Sequence, residues 1–364
     1  MYICAAKQAF PSLQKVIRRH FVSAPSVDEF EYFFDKPWSD GLPVIPPTEE
    51  RLGQMLAGTS RDPDEVIGDV PPLLAQADVR TIAVHAIMAG CKPEYMPVLI
   101  GAVEAILEEK FNVGGVQATL SCAAPLLIVN GPYAREIGLN GGLGCFGPGN
   151  RANATIGRAI RLLLLNIGGG IPGITSMSTF SQPGRFTYCI AENEAESPWE
   201  SLAQTNGFDA EDNVVTAVHV EGPVMSWDDV SDDPERMLPS IADTMSHLGS
   251  WNCWASTDLV VAMSPQQAAI CAKRGYSKAD VHGRLCEIAG RTVGELKTGG
   301  HFRENRIQDF PIPVDLDDDD AFVPTIKEAR RLLLIVAGGV PGPITAVMHG
   351  WNGSSRSVSR AFES

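Results

Sequence analysis

The chain has 364 residues and a mass of 39.1 kDa, is 44% hydrophobic and 20% charged, and is therefore long and apolar enough to bury a full core rather than stay disordered. No run approaches the roughly 20 uncharged apolar residues of a spanning helix. A formal net charge of −15 argues against nucleic acid and anionic membrane as partners, since both select clustered Lys and Arg.

Residues 1–27 carry Lys7, Lys15, Arg18 and Arg19 and no acid before Asp28. This segment resembles a mitochondrial transit peptide, with Arg19-His20-Phe21 before Val22-Ser23 as a matrix-processing site; the alternative is a basic surface helix interrupted by Pro11. The expected address is the mitochondrial matrix or the cytoplasm. Residues 38–48, rich in proline, can form neither a regular helix nor a central strand and read as an ordered arm. Thr48 followed by Glu49 and Glu50 starts a helix that runs to about residue 57.

Residues 78–88 and 92–109 predict a helix pair broken at Ala89-Gly90-Cys91, with Cys91 near the start of the second helix. Short apolar runs at 116–120 and 125–129 read as strands. Asn130-Gly131-Pro132 ends the second of them, and Pro132 suits the first turn of a helix over 133–138. A strand, a proline and a helix return in the same order at 259–274, with Pro265. RLLLLNIGGGIPG (161–173) is echoed by RLLLIVAGGVPG (331–342). These echoes predict an α/β protein of two pseudo-repeated lobes with an interlobe cleft. The expected division is 28–190 for the first lobe and 191–364 for the second. Residues 214–220 predict a strand, and the acidic stretch 315–320 a solvated loop without the ligand spacing of a calcium site.

The densest special-geometry segment spans 140–158, with five glycines between 141 and 149. A flexible loop opening a helix offers free N–H groups and a positive dipole end to an anion. Asn150, Arg151, Asn153 and Arg158 are the candidate binding residues, with Asn130 at the neighbouring strand end. The segment is neither a Walker loop nor a strand-first dinucleotide fingerprint. Cys145 within it is the candidate nucleophile, its thiolate favoured by nearby N–H groups and arginine, and Cys91 is the second. Glu192, with Glu194 and Glu196 at alternate positions, is the candidate acid/base. The eight cysteines include no CxxC pair and read as reduced thiols in a reducing compartment. The histidines form no metal-ligand pattern, so no metal site is assigned, and the cofactor stays open. His349, just past the second Gly-Gly-Val-Pro-Gly, is the histidine singled out for binding.

The phrases DGLPVIPPT (40–48), MAGCKPEY (88–95), VNGP (129–132), CFGPGNRANATIGR (145–158) and YCIAENE (188–194) resemble a bacterial family. Its members look like companions of a small (seleno)protein named for its Sec-Gly-Ser-Cys (UGSC) motif, and the resemblance runs from about residue 38 to the end. It implies a UGSC-type small protein as partner and thiol or selenol chemistry, and it names no reaction. The present chain has no UGSC or CGSC sequence of its own, so the redox half would be a separate polypeptide.

Together these readings predict an enzyme acting on a small carboxylated or carbonyl metabolite, a lyase or hydrolase rather than a nicotinamide dehydrogenase, with a thiol available to the reaction. Two alternatives stand beside it: a non-catalytic substrate-binding subunit for the thiol or selenol partner, and a specialised-metabolism enzyme of the same fold. The broad surface between two lobes predicts a homo-oligomer.

Overall fold

The computed structural model describes residues 29–34, 36–299, 313–351 and 353–363; the basic segment 1–27 and its expected processing site lie outside the described residues. After α1 (Glu29–Phe34), residues 39–48 run without regular structure, as their prolines require. The arm is tied down by Arg158, whose Nε and Nη2 each donate to an oxygen of Asp40 at 2.8 Å. Helix α2 (Glu49–Leu56) starts at the predicted cap, Thr48 accepting the Arg51 N–H. A hairpin of β1 (Val66–Val70) and β2 (Ala75–Asp78), not read from the sequence, leads into the expected helix pair α3 (Val79–Ala89) and α4 (Met96–Leu107).

Where a strand is predicted at 116–120, the chain forms α5 (Val113–Ala118) instead. Asn112 caps it by accepting the Gly115 N–H at 3.2 Å, a helix-start signal that outweighs the apolar run. Next come β3 (Ala124–Asn130), α6 (Pro132–Glu136), the long α7 (Arg151–Asn166) and β4 (Cys189–Ala191). The chain continues through α8 (Leu202–Thr205), β5 (Val214–Val220), β6 (Val224–Trp227) and α9 (Pro234–Met245). The last third holds β7 (Leu259–Met263), α10 (Pro265–Lys273), α11 (Lys278–Ile288), β8 (Gly290–Thr292), α12 (Val293–Thr298) and β9 (Phe322–Pro324), and closes with β10 (Leu332–Val336), β11 (Ile344–His349) and β12 (Val358–Ala361). The protein is of the α/β class.

Two four-stranded mixed sheets organise these elements. The first has the order β12-β5-β3-β4 and the second β10-β7-β11-β6. In each, a central strand pairs in parallel on one side, β3 with β4 and β7 with β10, and antiparallel on the other. The chain crosses between the sheets twice, sending β6 to the second sheet and β12 back to the first, so sheet membership does not follow a cut at residue 190.

Alternation along the strands assigns each face. Leu127, Val129, Val215 and Ala217 join the core formed with α3, α4 and α7, while Leu126, Ile128 and Val218 pack with Val260, Ala262, Leu333 and Ile335 of the other sheet. The outward residues of the second sheet, Leu259, Val261 and Leu334 among them, pack on α9 and α11. The layers are therefore helices, sheet, sheet, helices. Burial on both faces explains why these strands read as continuous apolar runs.

The two Arg-Leu echoes fall on different structures. Arg161 to Asn166 are the last turns of α7, whereas the matching Leu332 to Val336 are strand β10. The echo of strand, proline and helix does coincide in structure: β3 and β7 are each followed, one residue on, by a helix with proline in its first turn. No helix among the described residues is long and apolar enough to cross a membrane.

Candidate functional site

Strands β3, β4 and β10 bring their carboxyl ends together, the usual place for ligands in α/β sheets. Glu192, the residue after β4, donates its backbone N–H to Val129 O at 3.1 Å. Its side chain reaches across to the second sheet. Oε2 accepts from Asn130 Nδ2 and from the Leu202 N–H, both at 2.7 Å, and Oε1 accepts from the Val336 N–H at 3.3 Å. Lys278 Nζ lies 4.0 Å from Oε1, and the two side chains are 4% and 0% exposed. Burial raises the Glu192 pKa and lowers that of Lys278, each cation or anion partly offsetting the penalty on the other.

Lys278 is the first residue of α11. Its ammonium donates to Glu200 O at 2.9 Å and Thr205 Oγ1 at 3.1 Å, and it lines a cavity of about 320 Å³ together with His282, Arg330 and Asn206. Lys278, His282 and Arg330 were not expected from the sequence. A signal existed: a lysine in a first helical turn opposes the helix dipole, and such a broken local rule marks sites with another task.

Asn130, the last residue of β3, donates to Glu192 and, at 2.8 Å, to Glu194 Oε1, which also accepts the Gly131 N–H at 2.9 Å. The two carboxylates fix the amide orientation and leave Asn130 Oδ1 buried with no hydrogen-bond partner among the described residues. Arg135 closes the cluster on Glu194 at 3.0 Å.

The glycine-rich loop abuts this cluster. Its Gly141 O accepts the Gly338 N–H at 2.8 Å, and a Cβ on Gly141 would stand 2.6 Å from Ala191 O, so only glycine fits. The loop is filled by its own asparagines. Asn153 accepts the Asn140 N–H at 2.8 Å and donates to Asn140 O and Cys145 O, while Asn150 caps α7 by accepting the Asn153 N–H at 3.0 Å. Cys145 is buried, and desolvation outweighs the Gly338 and Phe146 N–H groups near its sulfur, so its pKa rises. That is opposite to the expected stabilised thiolate.

The remaining candidates lie elsewhere. Cys91 follows Gly90 at the end of α3 and is pushed up to about 12 by burial, against the smaller effects of Thr155, Arg151 and Arg158. Arg151 donates to Gly90 O at 2.9 Å, and Arg158 is taken by Asp40. His349 pairs in register with Leu259, the start of β7, whereas the site lies where β7 ends; the structure therefore separates it from Glu192. Its ring contacts Thr244 O at 3.0 Å and packs against His247 with centroids 4.6 Å apart. No group of three or more His, Cys, Asp or Glu side chains among the described residues is placed to hold a metal ion.

Comparison with family models, curated proteins and solved structures returns no match to this chain.

Proposed function

We propose that the chain is an enzyme of lyase or hydrolase type acting on a small carboxylated or carbonyl metabolite by proton transfer at Lys278, with Glu192 behind it. The supporting observation is the buried Lys278 in the wall of the 320 Å³ cavity, with the Glu192 carboxylate 4.0 Å behind its ammonium. Burial lowers the Lys278 pKa, which eases loss of its third proton; the amine then keeps its two hydrogen bonds, to Glu200 O and Thr205 Oγ1, and carries a lone pair for a substrate proton. The Glu192 carboxylate then stabilises the ammonium that forms, and Arg330 on the same wall, which donates Nε and Nη2 to Glu328, keeps Nη1 for a substrate carboxylate. The test follows deuterium incorporation by NMR for a panel of small carboxylates and oxo acids in deuterated buffer. Exchange or turnover by the wild type and its loss in Lys278→Met supports the reading; a panel with neither exchange nor turnover overturns it.

Duplication of one α/β unit belongs to the same reading. It is supported by the shared strand order of the two sheets and by the proline that opens the helix after β3 and after β7. The ends of β5 and β11 also meet, in a bridge between Val220 and Gly350. The interlobe opening is then the rim at the strand ends, because apolar side chains fill the space between the sheets. The basic extension 1–27 supports import into the matrix, which sequencing the mature N-terminus tests.

A second reading, a subunit presenting substrate to a small thiol- or selenol-bearing protein, is favoured by β6. This edge strand exposes Val224, Met225 and Trp227, and Met225 and Trp227 are 54% and 62% exposed. The buried, protonated thiols of Cys145 and Cys91 fit a nucleophile supplied in trans. A second copy of the chain fits the same edge, giving a homo-oligomer. Light scattering of the protein alone and with a UGSC-type protein separates them, and a monomer in both samples rejects both.

A further inference from the structure

A second cationic centre, away from the Lys278 cavity, lies between the helical layer and β3. Arg161 in α7 and Arg185 in the turn Pro183–Arg185 line a cavity of about 20 Å³ with Gln117 and Tyr188. That space holds one body the size of a water molecule.

Among the described residues neither guanidinium has a carboxylate within ion-pair distance, although the chain carries 44 acids. Arg185, buried, donates to Ala123 O at 3.0 Å, Ser176 Oγ at 2.9 Å, Ser121 O at 3.2 Å and Val116 O at 3.4 Å, which leaves one N–H on Nη1. Arg161 donates to Gln117 Oε1 and to Gly170 O, each at 3.0 Å. Gln117 Nε2 donates to Leu164 O at 2.9 Å, which fixes its oxygen towards Arg161. The carboxylate whose field reaches Arg161 is Asp40, and both its oxygens are held by Arg158.

Burial pulls Arg161 down to about 10, and Arg185 adds to the fall. The group is still charged at neutral pH, and a guanidinium cannot shed its proton as a buried lysine can. Carbonyl oxygens solvate each cation without cancelling the repulsion between them, which is strong at low dielectric. With five N–H groups on each guanidinium, donors remain on both.

We propose that this cavity binds a monovalent anion of chloride size, held jointly by Arg161 and Arg185. Bromide serves as the probe. Crystals of the full chain grown with sodium bromide and measured at the bromine edge should give an anomalous peak within hydrogen-bond reach of both guanidiniums. In solution, sodium chloride or bromide should raise Tm by about 2 °C over sodium gluconate of equal ionic strength, and Arg161→Gln should lose that difference. Water density without an anomalous peak overturns the proposal. A peak without a halide-specific shift in Tm marks an adventitious ion only and overturns it as well. Should Arg161→Gln fail to fold, the two wild-type measurements still decide.

Discussion

The ammonium of Lys278 and the carboxylate of Glu192 compensate each other at 4.0 Å, their side chains 4% and 0% exposed. Removing one partner of a buried pair strands the other charge, while losing both is far milder. Lys278→Met and Glu192→Gln are each expected to lower unfolding stability by about 3 kcal/mol, and the double variant by clearly less than the sum. Denaturant titration of the four proteins measures this; additive losses would mean that the pair is not coupled.

Thiol labelling should follow exposure rather than loop position. Cys122 and Cys286 are half-buried, whereas Cys91, Cys145, Cys189, Cys253 and Cys271 are buried. Burial also pushes Cys286 up to about 11. Iodoacetamide at neutral pH should therefore modify Cys122 first among these cysteines, and peptide mapping with Cys145 leading would show that the glycine-rich loop opens in solution.

Three buried histidines predict acid lability. Desolvation lowers His85 and His349 to about 4 and His219 to about 3, so all three are neutral in the fold. The unfolded chain takes up these protons first, near pH 6.5, and stability is lost as pH falls from there to about 4. Each histidine contributes a slope of roughly 1.4 kcal/mol per pH unit in that window. Unfolding free energies at pH 7, 6 and 5 should show a shallower slope in His349→Gln than in wild type; equal slopes would mean that His349 titrates normally.

The proline-rich arm is held by a charge pair that is largely out of water, Arg158 and Asp40 being 14% and 6% exposed. Asp40→Asn keeps the shape and loses the charge-assisted bonds, at a cost of about 2 kcal/mol. Limited proteolysis should then cut within residues 39–48 of the variant faster than in wild type. Unchanged cleavage would place the anchoring in Trp38 and its packing on Phe33.

Much of the fold was legible because its signals are local. Thr48, Asp78, Asn150 and Ser264 cap helices that begin beside them, Pro132 and Pro265 open helices after strands, and the run 214–220, apolar except for Thr216 and His219, is buried on both faces. The site was legible in part. Asn130 and Glu192 were read as candidates at the ends of two different strands, and Asn130 Nδ2 donates to Glu192 at 2.7 Å, but Lys278 comes from a helix that no local pattern connects to them.

By itself the sequence determined the α/β class, the helices α2, α3, α4, α6, α7 and α10, and the two strand-proline-helix units, since caps, prolines and apolar periodicity act within a few residues. Tertiary structure alone decided which of two nearly identical Arg-Leu runs became helix. Residues 161–166 continue a helix capped at Asn150, while 332–336 find their hydrogen bonds on β7. A strand exists only where another strand lies beside it. The same holds for the charges: Lys278 and Glu192 shift away from their ordinary behaviour because packing brings them together out of water.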